Sequence, residues 1–285
     1  MKIAVTSASG KLGTAIIEQL INKIGKENIV GIARTPNKAA HLAIEVRQGD
    51  YNNREDFNTA LKNIDVVLLI SGMDAPQKRI QQHRNIIEAA KANNVEKIVY
   101  TSIIGAEKGT AFSPIVQSNR QTEQDIQNSG LQWAIGRNGI YIEPDLDYIE
   151  TYKKEGAISN CAGDGKCAYT SRIELAFAYA KMLLEDNHHG KIYNLAGEAI
   201  SQEQLARLIN QVYHTNLIYK PMSISAYEQE RKAALGAFLG TVIAGIYEGI
   251  QMGANDIPSD FETAADRAHK SIFQIISEYK SEKNN

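Results

Sequence analysis

The chain has 285 residues, a formal net charge of −2, 43% apolar residues and 22% charged residues. A balance so close to neutral gives no basic surface for nucleic acid, and the composition is that of an ordinary globular protein. Two cysteines, Cys161 and Cys167, are too few for a disulfide framework, which favours a reducing compartment.

The first half of the chain alternates between strand-like and helix-like segments. Apolar runs predict strands at 2–5, 28–33, 45–48, 65–70, 97–101 and 131–135. Apolar spacing predicts helices at 14–21, 77–93 and 118–129, and a short helix after Pro36. Strict alternation of this kind predicts an α/β fold, a Rossmann-type doubly wound parallel sheet over residues 1–136. Ligands of such sheets bind outside the carboxyl ends of the strands.

For residues 137–285 we predict a smaller, mostly helical lobe that lies on the side of the sheet where the substrate binds. A strand at 191–195 returns to the core, and helices are expected at 171–186, 201–213, 223–235, 233–253 and 259–279. Ser171, Ser201 and Ser223 are predicted helix N-caps. The spacings Gly236-x-x-x-Gly240 and Gly245-x-x-x-Gly249 permit close helix contact, which would suit a pocket lid, the interface of a homo-oligomer or a helix pair of the core.

No segment predicts export, a membrane span or a metal centre. Met1-Lys2 leads directly into a strand instead of a secretory leader, and the uncharged run 233–247 falls short of the roughly 20 residues that a spanning helix needs. His188 and His189 have no third ligand nearby in the sequence, and His83 is expected to be a surface or packing residue of its helix. We therefore expect a cytoplasmic protein with no nucleic-acid partner and no membrane insertion.

The most informative segment is the turn between the first strand and the first helix. It reads Ser7-x-x-Gly10-x-x-Gly13, where a dinucleotide-binding turn usually has glycine at all three positions. The second glycine lets the backbone approach a pyrophosphate, and the third lets the helix pack on the sheet. Ser7 either keeps a negative φ or costs about 1–3 kcal/mol of strain. An ordinary turn without ligand is the alternative. The predicted contacts to the cofactor are Thr6, Ser7, Ser9, Gly10, Lys11, Leu12 and Gly13.

Arg34 follows the second strand, at the position where NAD-binding sheets carry an acidic residue for the ribose 2′-hydroxyl. A guanidinium binds a 2′-phosphate bidentately, so we expect NADP(H) to be preferred over NAD(H). A solvated surface arginine is the alternative.

Residues after the later strands should lie along the rest of the cofactor. Gly72 permits close backbone approach after the fourth strand. Asn138 and Tyr141 follow the sixth strand and are predicted to position the nicotinamide and the substrate, although a structural turn at Asn138-Gly139 is possible. The predicted cofactor contacts from these strands are Ser71, Gly72, Met73, Thr101, Asn138, Gly139, Ile140, Tyr141, Ile142 and Glu143.

Together, several of these segments resemble the NmrA-like group of atypical short-chain dehydrogenases, and its quinone-reducing bacterial members in particular. The resemblance rests on 6–13, Arg34, 68–71, 82–85, 100–102, 162–166, 193–197 and above all Arg137-Asn138-Gly139-Ile140-Tyr141. It covers about the first 200 residues. It implies a Rossmann fold, an NAD(P)H cofactor and a reductase activity.

Relatives in the wider superfamily use a Tyr-x-x-x-Lys acid–base pair on the helix after the fifth strand. Counted back from Glu123, the acid usual in that helix, Ile115 and Asn119 stand at those two positions. Reduction of an alcohol or ketone needs a positioned acid–base group, whereas a reduced quinone can take its proton from water. The resemblance therefore implies NADPH-dependent quinone reduction. A non-catalytic NADP(H)-sensing regulator and a reductase of another conjugated acceptor are the alternatives.

Overall fold

The computed structural model describes residues 1–284. Its strands are β1 (Ile3–Val5), β2 (Ile29–Ala33), β3 (Glu45–Gln48), β4 (Val66–Ile70), β5 (Lys97–Ile103), β6 (Gln132–Asn138), β7 (Ile140–Tyr141), β8 (Ala157–Asn160), β9 (Lys166–Thr170), β10 (Lys191–Leu195), β11 (Ala199–Ser201) and β12 (Ile218–Pro221). Its α-helices are α1 (Lys11–Ile24), α2 (Arg54–Ala60), α3 (Pro76–Ala92), α4 (Ser113–Gln127), α5 (Glu143–Asp147), α6 (Ile149–Glu155), α7 (Arg172–Leu184), α8 (Gln202–Tyr213), α9 (Ile224–Leu235), α10 (Ala237–Gln251), α11 (Phe261–Ala265) and α12 (Ile272–Asn284).

The principal sheet has seven parallel strands in the order β10-β6-β5-β4-β1-β2-β3. Its central strands are buried on both faces, which explains the nearly uninterrupted apolar runs of β1, β2 and β4. Helices α1 and α7 cover one face, and α2, α3 and α4 cover the other. The predicted Rossmann-type fold is confirmed, and residues 191–195 form β10, which pairs with β6 at one edge of this sheet.

The C-terminal lobe contains two small sheets that the sequence did not indicate. One has the order β11-β9-β7 and the other pairs β12 with β8. Helices α8 and α12 pack together beside them, over a core that includes Ile158, Tyr169, Ile209 and Ile276. The division of the chain at residue 136 stays a prediction, and β6 runs across it to Asn138.

Helix starts follow the predicted caps. The hydroxyls of Ser171, Ser201 and Ser223 accept hydrogen bonds from backbone N–H groups in the first turns of α7, α8 and α9. At α8 the cap is a full capping box, because Gln204 also bonds the backbone of Ser201.

Two predicted helices were wrong in their bounds. The helix expected at 118–129 begins at Ser113, where a proline stands in the first turn. The helix expected at 259–279 is two helices, α11 and α12, because Asp266 is in the left-handed region with φ of 57°. The segment that separates them is held by Arg267, whose guanidinium binds Glu174 of α7.

Glycines in the segment 236–249 allow helix α10 to pack closely against helix α9. A Cβ on Gly240 would lie 2.4 Å from the backbone N of Lys232 in α9, and a Cβ on Gly245 would lie 2.4 Å from the backbone N of Phe112. These glycines let α10 lie directly on α9 and on the start of α4. Within residues 1–284 no helix is both long and apolar enough to cross a membrane.

Candidate active site

The turn after β1 leaves the first N–H groups of α1 available. Gly10 is the N-cap of the helix, no side chain caps it, and the first turn contains no acidic residue. A Cβ on Gly13 would lie 2.4 Å from the carbonyl oxygen of Ser7, so the turn closes on the helix only with glycine there. Free N–H groups and the positive end of the helix dipole suit a pyrophosphate. The residues present therefore fit the phosphates of a dinucleotide.

Ser7 adopts the strained alternative, with φ of 51°. The hydroxyl of Tyr51 lies beside it, 3.1 Å from Ser7 Oγ, 2.6 Å from Thr6 Oγ1 and 2.7 Å from the carbonyl oxygen of Ile70. Burial raises the pKa of Tyr51 to about 12, so this hydroxyl stays protonated. Tyr51 therefore joins the turn after β1 to the end of β4. Ser9 and Lys11 are exposed on the outer side of the turn, while Leu12 packs into the core.

The end of β2 carries a free guanidinium. Arg34 is exposed, and no carboxylate forms an ion pair with it within the described part of the chain. Asp74 lies in the loop after β4. Hydrogen bonds from Gln82 and Lys78 lower the pKa of its carboxyl, and the positive charge of Arg34 lowers it further.

The loop after β4 is held in place by hydrogen bonds from its backbone to two side chains. The backbone N–H of Ser71 donates to Thr101 Oγ1 at 2.9 Å, and that of Gly72 donates to His83 Nε2 at 2.9 Å. Thr101 is 2% exposed, so its hydroxyl supports the loop instead of facing the cleft. Met73 is 83% exposed, which is unusual for a large apolar residue. The loop thus presents its backbone and the Met73 thioether at the sheet edge.

The end of β6 brings together the two residues expected at the nicotinamide. Asn138 Nδ2 donates to the Tyr141 hydroxyl at 3.1 Å, and Asn138 Oδ1 accepts from the Tyr179 hydroxyl at 2.6 Å. The guanidinium of Arg172 lies 5.0 Å from the centre of the Tyr141 ring. A Cβ on Gly139 would lie 2.4 Å from the carbonyl oxygen of Ala168, which explains the glycine between them.

The remaining predicted contacts, Ile140, Ile142 and Glu143, lie where the chain passes from β6 into the lobe. Ile140 and Tyr141 pair with β9, and Ile142 is fully buried in the core of the lobe. Glu143 Oε1 accepts a hydrogen bond of 2.7 Å from the backbone N–H of Arg172 at the start of α7. Ile142 and Glu143 therefore anchor the connection between sheet and lobe, and their side chains do not join Asn138.

On α4, the two residues predicted to replace the Tyr-x-x-x-Lys pair, Ile115 and Asn119, have no ionisable side chain. Ile115 packs with Phe112 and Val116 in an apolar cluster that also touches α10. Asn119 is fully buried, and its Oδ1 accepts hydrogen bonds from Tyr100, Ser71 and Arg79. One turn further on, the buried Glu123 forms a bidentate ion pair with Arg137.

Tyr279 and Lys283 also have the Tyr-x-x-x-Lys spacing in the sequence, but they lie in the C-terminal helix α12. Both side chains contact Asp147, at the end of α5. Asp147 is also 3.8 Å from Lys11 Nζ. The Tyr279–Lys283 pair therefore belongs to the contact of α12 with α5.

The sequence did not predict three buried residues whose side chains hydrogen-bond to the candidate site. They are Tyr51, Tyr179 and His83, and the last was expected only to pack or to face solvent. His83 is fully buried, and its two ring nitrogens bond Gly72 and Thr122. The sequence places His83 one helical turn after Arg79, but it does not show the hydrogen-bond partners of His83, which lie outside α3. Cys161 and Cys167 are both free and buried, and residues 1–284 contain no cluster of metal-binding side chains.

Comparison with known proteins shows the family to which this chain belongs. A family of NAD(P)H-binding domains matches residues 7–186. Quinone oxidoreductase 2 of Escherichia coli is 37% identical over 78% of this chain and 78% of its own length. An NmrA-like family domain-containing oxidoreductase of Aspergillus flavus is 30% identical over 74% of this chain and 71% of its own. The structure of a Citrobacter triphenylmethane reductase with NADP(H) superposes with a TM-score of 0.91 and 29% identity, over 97% of this chain and 99% of that one.

Together with the Rossmann-type sheet, these relatives define an NAD(P)H-dependent oxidoreductase. The chain belongs to the NmrA-like family of NAD(P)H-binding proteins.

Proposed function

We propose that this protein reduces quinones with NADPH as the hydride donor. The observation that carries the proposal is the buried side of α4, where Ile115 and Asn119 stand at the positions expected for the acid–base pair and offer no group that titrates near neutral pH. An acceptor that needs protonation by the enzyme would be reduced poorly there. A quinone needs none, because its reduced anion is stabilised and takes a proton from water.

NADPH, when bound, supplies a hydride, so that a quinone with one further proton becomes a hydroquinone. The protein's contribution is positioning. The N-terminus of α1 would hold the pyrophosphate, and the fixed loop 71–73 would lie along the nicotinamide half. Asn138 and Tyr141 would hold the carboxamide or an acceptor oxygen, since Asn138 Nδ2 has a second N–H beyond the one that bonds Tyr141.

The preference for NADPH over NADH rests on Arg34. It is exposed at the end of β2, with no carboxylate of the described chain paired with it, so its guanidinium is free to take a 2′-phosphate. The solved relatives from Citrobacter and E. coli are complexes with NADP(H) and NADPH. A homo-oligomer stays a prediction.

Reduction of another conjugated acceptor is a second candidate. It is favoured by the likeness to a triphenylmethane reductase, which covers 97% of this chain. Both activities would use the same cofactor site and differ in the shape of the acceptor pocket.

Steady-state oxidation of NADPH, followed by its near-ultraviolet absorbance, tests the proposal. The acceptors should include a simple benzoquinone, a naphthoquinone and a triphenylmethane dye. We expect the quinones to give protein-dependent turnover that is faster than with the dye. Turnover with the dye alone would support the second candidate, and binding of NADPH without turnover of any acceptor would indicate a sensing protein.

A further inference from the structure

A buried cation lies beneath the edge of the sheet formed by β4 and β5. Arg79, on α3, is 4% exposed, and its Nη2 donates to Asn119 Oδ1 at 3.0 Å. Its Nε has no hydrogen-bond partner within residues 1–284, and no carboxylate there forms an ion pair with it. A guanidinium stays charged in proteins, and a buried charge is ordinarily paired. Arg79 departs from that rule.

Asn119 connects Arg79 to a small network of hydrogen bonds. Its Oδ1 also accepts from the Tyr100 hydroxyl at 2.6 Å and the Ser71 hydroxyl at 2.9 Å. Because a guanidinium only donates, the contact with Arg79 fixes which amide atom is oxygen. Asn119 Nδ2 must then point the other way, and it is buried without a partner in the described chain. Two unpartnered donors, on Arg79 and Asn119, thus lie in one cluster.

Neighbouring acids and bases do not neutralise the cluster. Glu123, one turn along α4, is already bonded by Arg120, Arg137 and Ser102. His83, one turn along α3, uses both ring nitrogens for Gly72 and Thr122, and burial keeps its pKa near 3, so it is neutral. Arg79 is left as a positive charge with no counter-charge from these elements.

The strand order puts this charge on the side of the sheet where we expect the nicotinamide half of the cofactor. The pyrophosphate belongs at the turn after β1, in the middle of the sheet, and Arg34 after β2 marks the adenosine side. The other half must extend over β4, β5 and β6. Ser71 directly follows β4 and Tyr100 lies in β5, and both of their hydroxyls bond Asn119 on that side.

We propose that the Arg79–Asn119 pair makes the site discriminate between the two redox forms of its cofactor, binding NADPH more tightly than NADP⁺. The oxidised nicotinamide ring carries a positive charge and the reduced ring is neutral, so a fixed cation nearby destabilises only the oxidised form. The same field favours the negative charge that a quinone gains with the hydride. Arg79 is a positioning residue here, because its charge acts through space and Asn119 holds its guanidinium in place. The inference rests on the proposed function.

Calorimetric titration with NADPH and with NADP⁺ tests the inference through the ratio of the two dissociation constants. Arg79→Gln should lower the preference for NADPH by about tenfold, the order of magnitude expected when one unit charge near another is removed inside a protein. Arg79→Lys, which keeps the charge, should retain most of the preference. Arg84→Gln removes a charge from the same helix, but Arg84 is 45% exposed and paired with Asp125, so the ratio should not change.

Asn119→Asp is the second variant, because it keeps the side-chain volume and supplies the missing carboxylate to Arg79. It should lower the preference in the same direction, even if Arg79→Gln fails to fold. A merely structural role for Arg79 would weaken both ligands equally and leave the ratio unchanged. An unchanged ratio in Asn119→Asp and in folded Arg79→Gln would overturn the inference but not the proposed function. Failure of the wild-type protein to bind either ligand would overturn the proposed function itself.

Discussion

The backbone N–H of Gly72 donates a hydrogen bond to Nε2 of His83 at 2.9 Å, so that an imidazole on α3 holds the loop that follows β4. Since Nε2 accepts, the ring proton is on Nδ1, which lies 2.9 Å from Thr122 Oγ1. Burial, with nearby Arg79 adding to it, lowers the pKa of His83 to about 3. The loop therefore depends on a histidine that is neutral at every physiological pH.

Acid should destabilise the protein through His83. Between its ordinary pKa of 6.5 and its folded value of about 3, the unfolded chain binds this proton and the folded chain does not. The free energy of unfolding therefore falls as the pH falls through that window. At about pH 5 the loss from this group should be about 2 kcal/mol. Denaturant unfolding should show a shallower pH dependence for His83→Gln, and no such change for the exposed His41→Gln.

Arg34→Asp should weaken NADPH binding by at least about tenfold, because it replaces the phosphate-binding cation with a repelling charge. NADH lacks the 2′-phosphate, so its dissociation constant should change far less. Fluorescence titration with both cofactors measures this difference. Arg54→Asp, an equal charge change at the exposed start of α2, serves as the control. Equal losses for NADPH and NADH would remove Arg34 from the role given to it.

Gly13→Ala should be far more damaging than Gly10→Ala. The new Cβ would lie 2.4 Å from the carbonyl oxygen of Ser7 at position 13, but 3.2 Å from the same atom at position 10. Overpacking against backbone typically costs about 1–3 kcal/mol, and here it would also displace the turn that receives the pyrophosphate. Thermal unfolding of the two variants without cofactor checks this. Similar behaviour of both would contradict the close contact of α1 with the turn.

Ser7→Gly should be more stable than Ser7→Ala by about 1 kcal/mol, because only glycine adopts a positive φ without a steric cost. Both variants lose the hydroxyl that lies 3.1 Å from Tyr51, so their difference isolates the backbone at φ of 51°. Chemical unfolding of the pair measures the difference. If Ser7→Ala equals or exceeds Ser7→Gly in stability, the turn is not strained at this residue.

Local signals in the sequence predicted the principal sheet and several helix starts. The run 65–70 contains only apolar residues after Asp65, and β4 is indeed buried on both faces. Ser201 followed by Gln204 is a short-range cap, and it forms as expected. Such features depend on neighbours within a few residues, which a sequence displays directly.

Features that depend on distant partners could not be predicted in the same way. Strand β9 is recognisable only beside β7 and β11, and the break after α11 depends on Arg267 reaching Glu174 in α7. The contact of Arg79 with Asn119 spans two helices, and neither residue has a neighbour in the chain that signals it. At the site, position after a strand predicted Asn138 and Tyr141 together, but not the Tyr179 hydroxyl beneath them.

A single-turnover experiment tests the central claim most directly. The protein, loaded with one equivalent of NADPH, is mixed rapidly with excess benzoquinone in the absence of oxygen. We expect the NADPH absorbance to disappear in one phase, faster than in a mixture without protein, with one hydroquinone formed for each NADPH consumed. Bound NADPH that persists in the presence of excess quinone, or decays only at the rate seen without protein, would contradict the account.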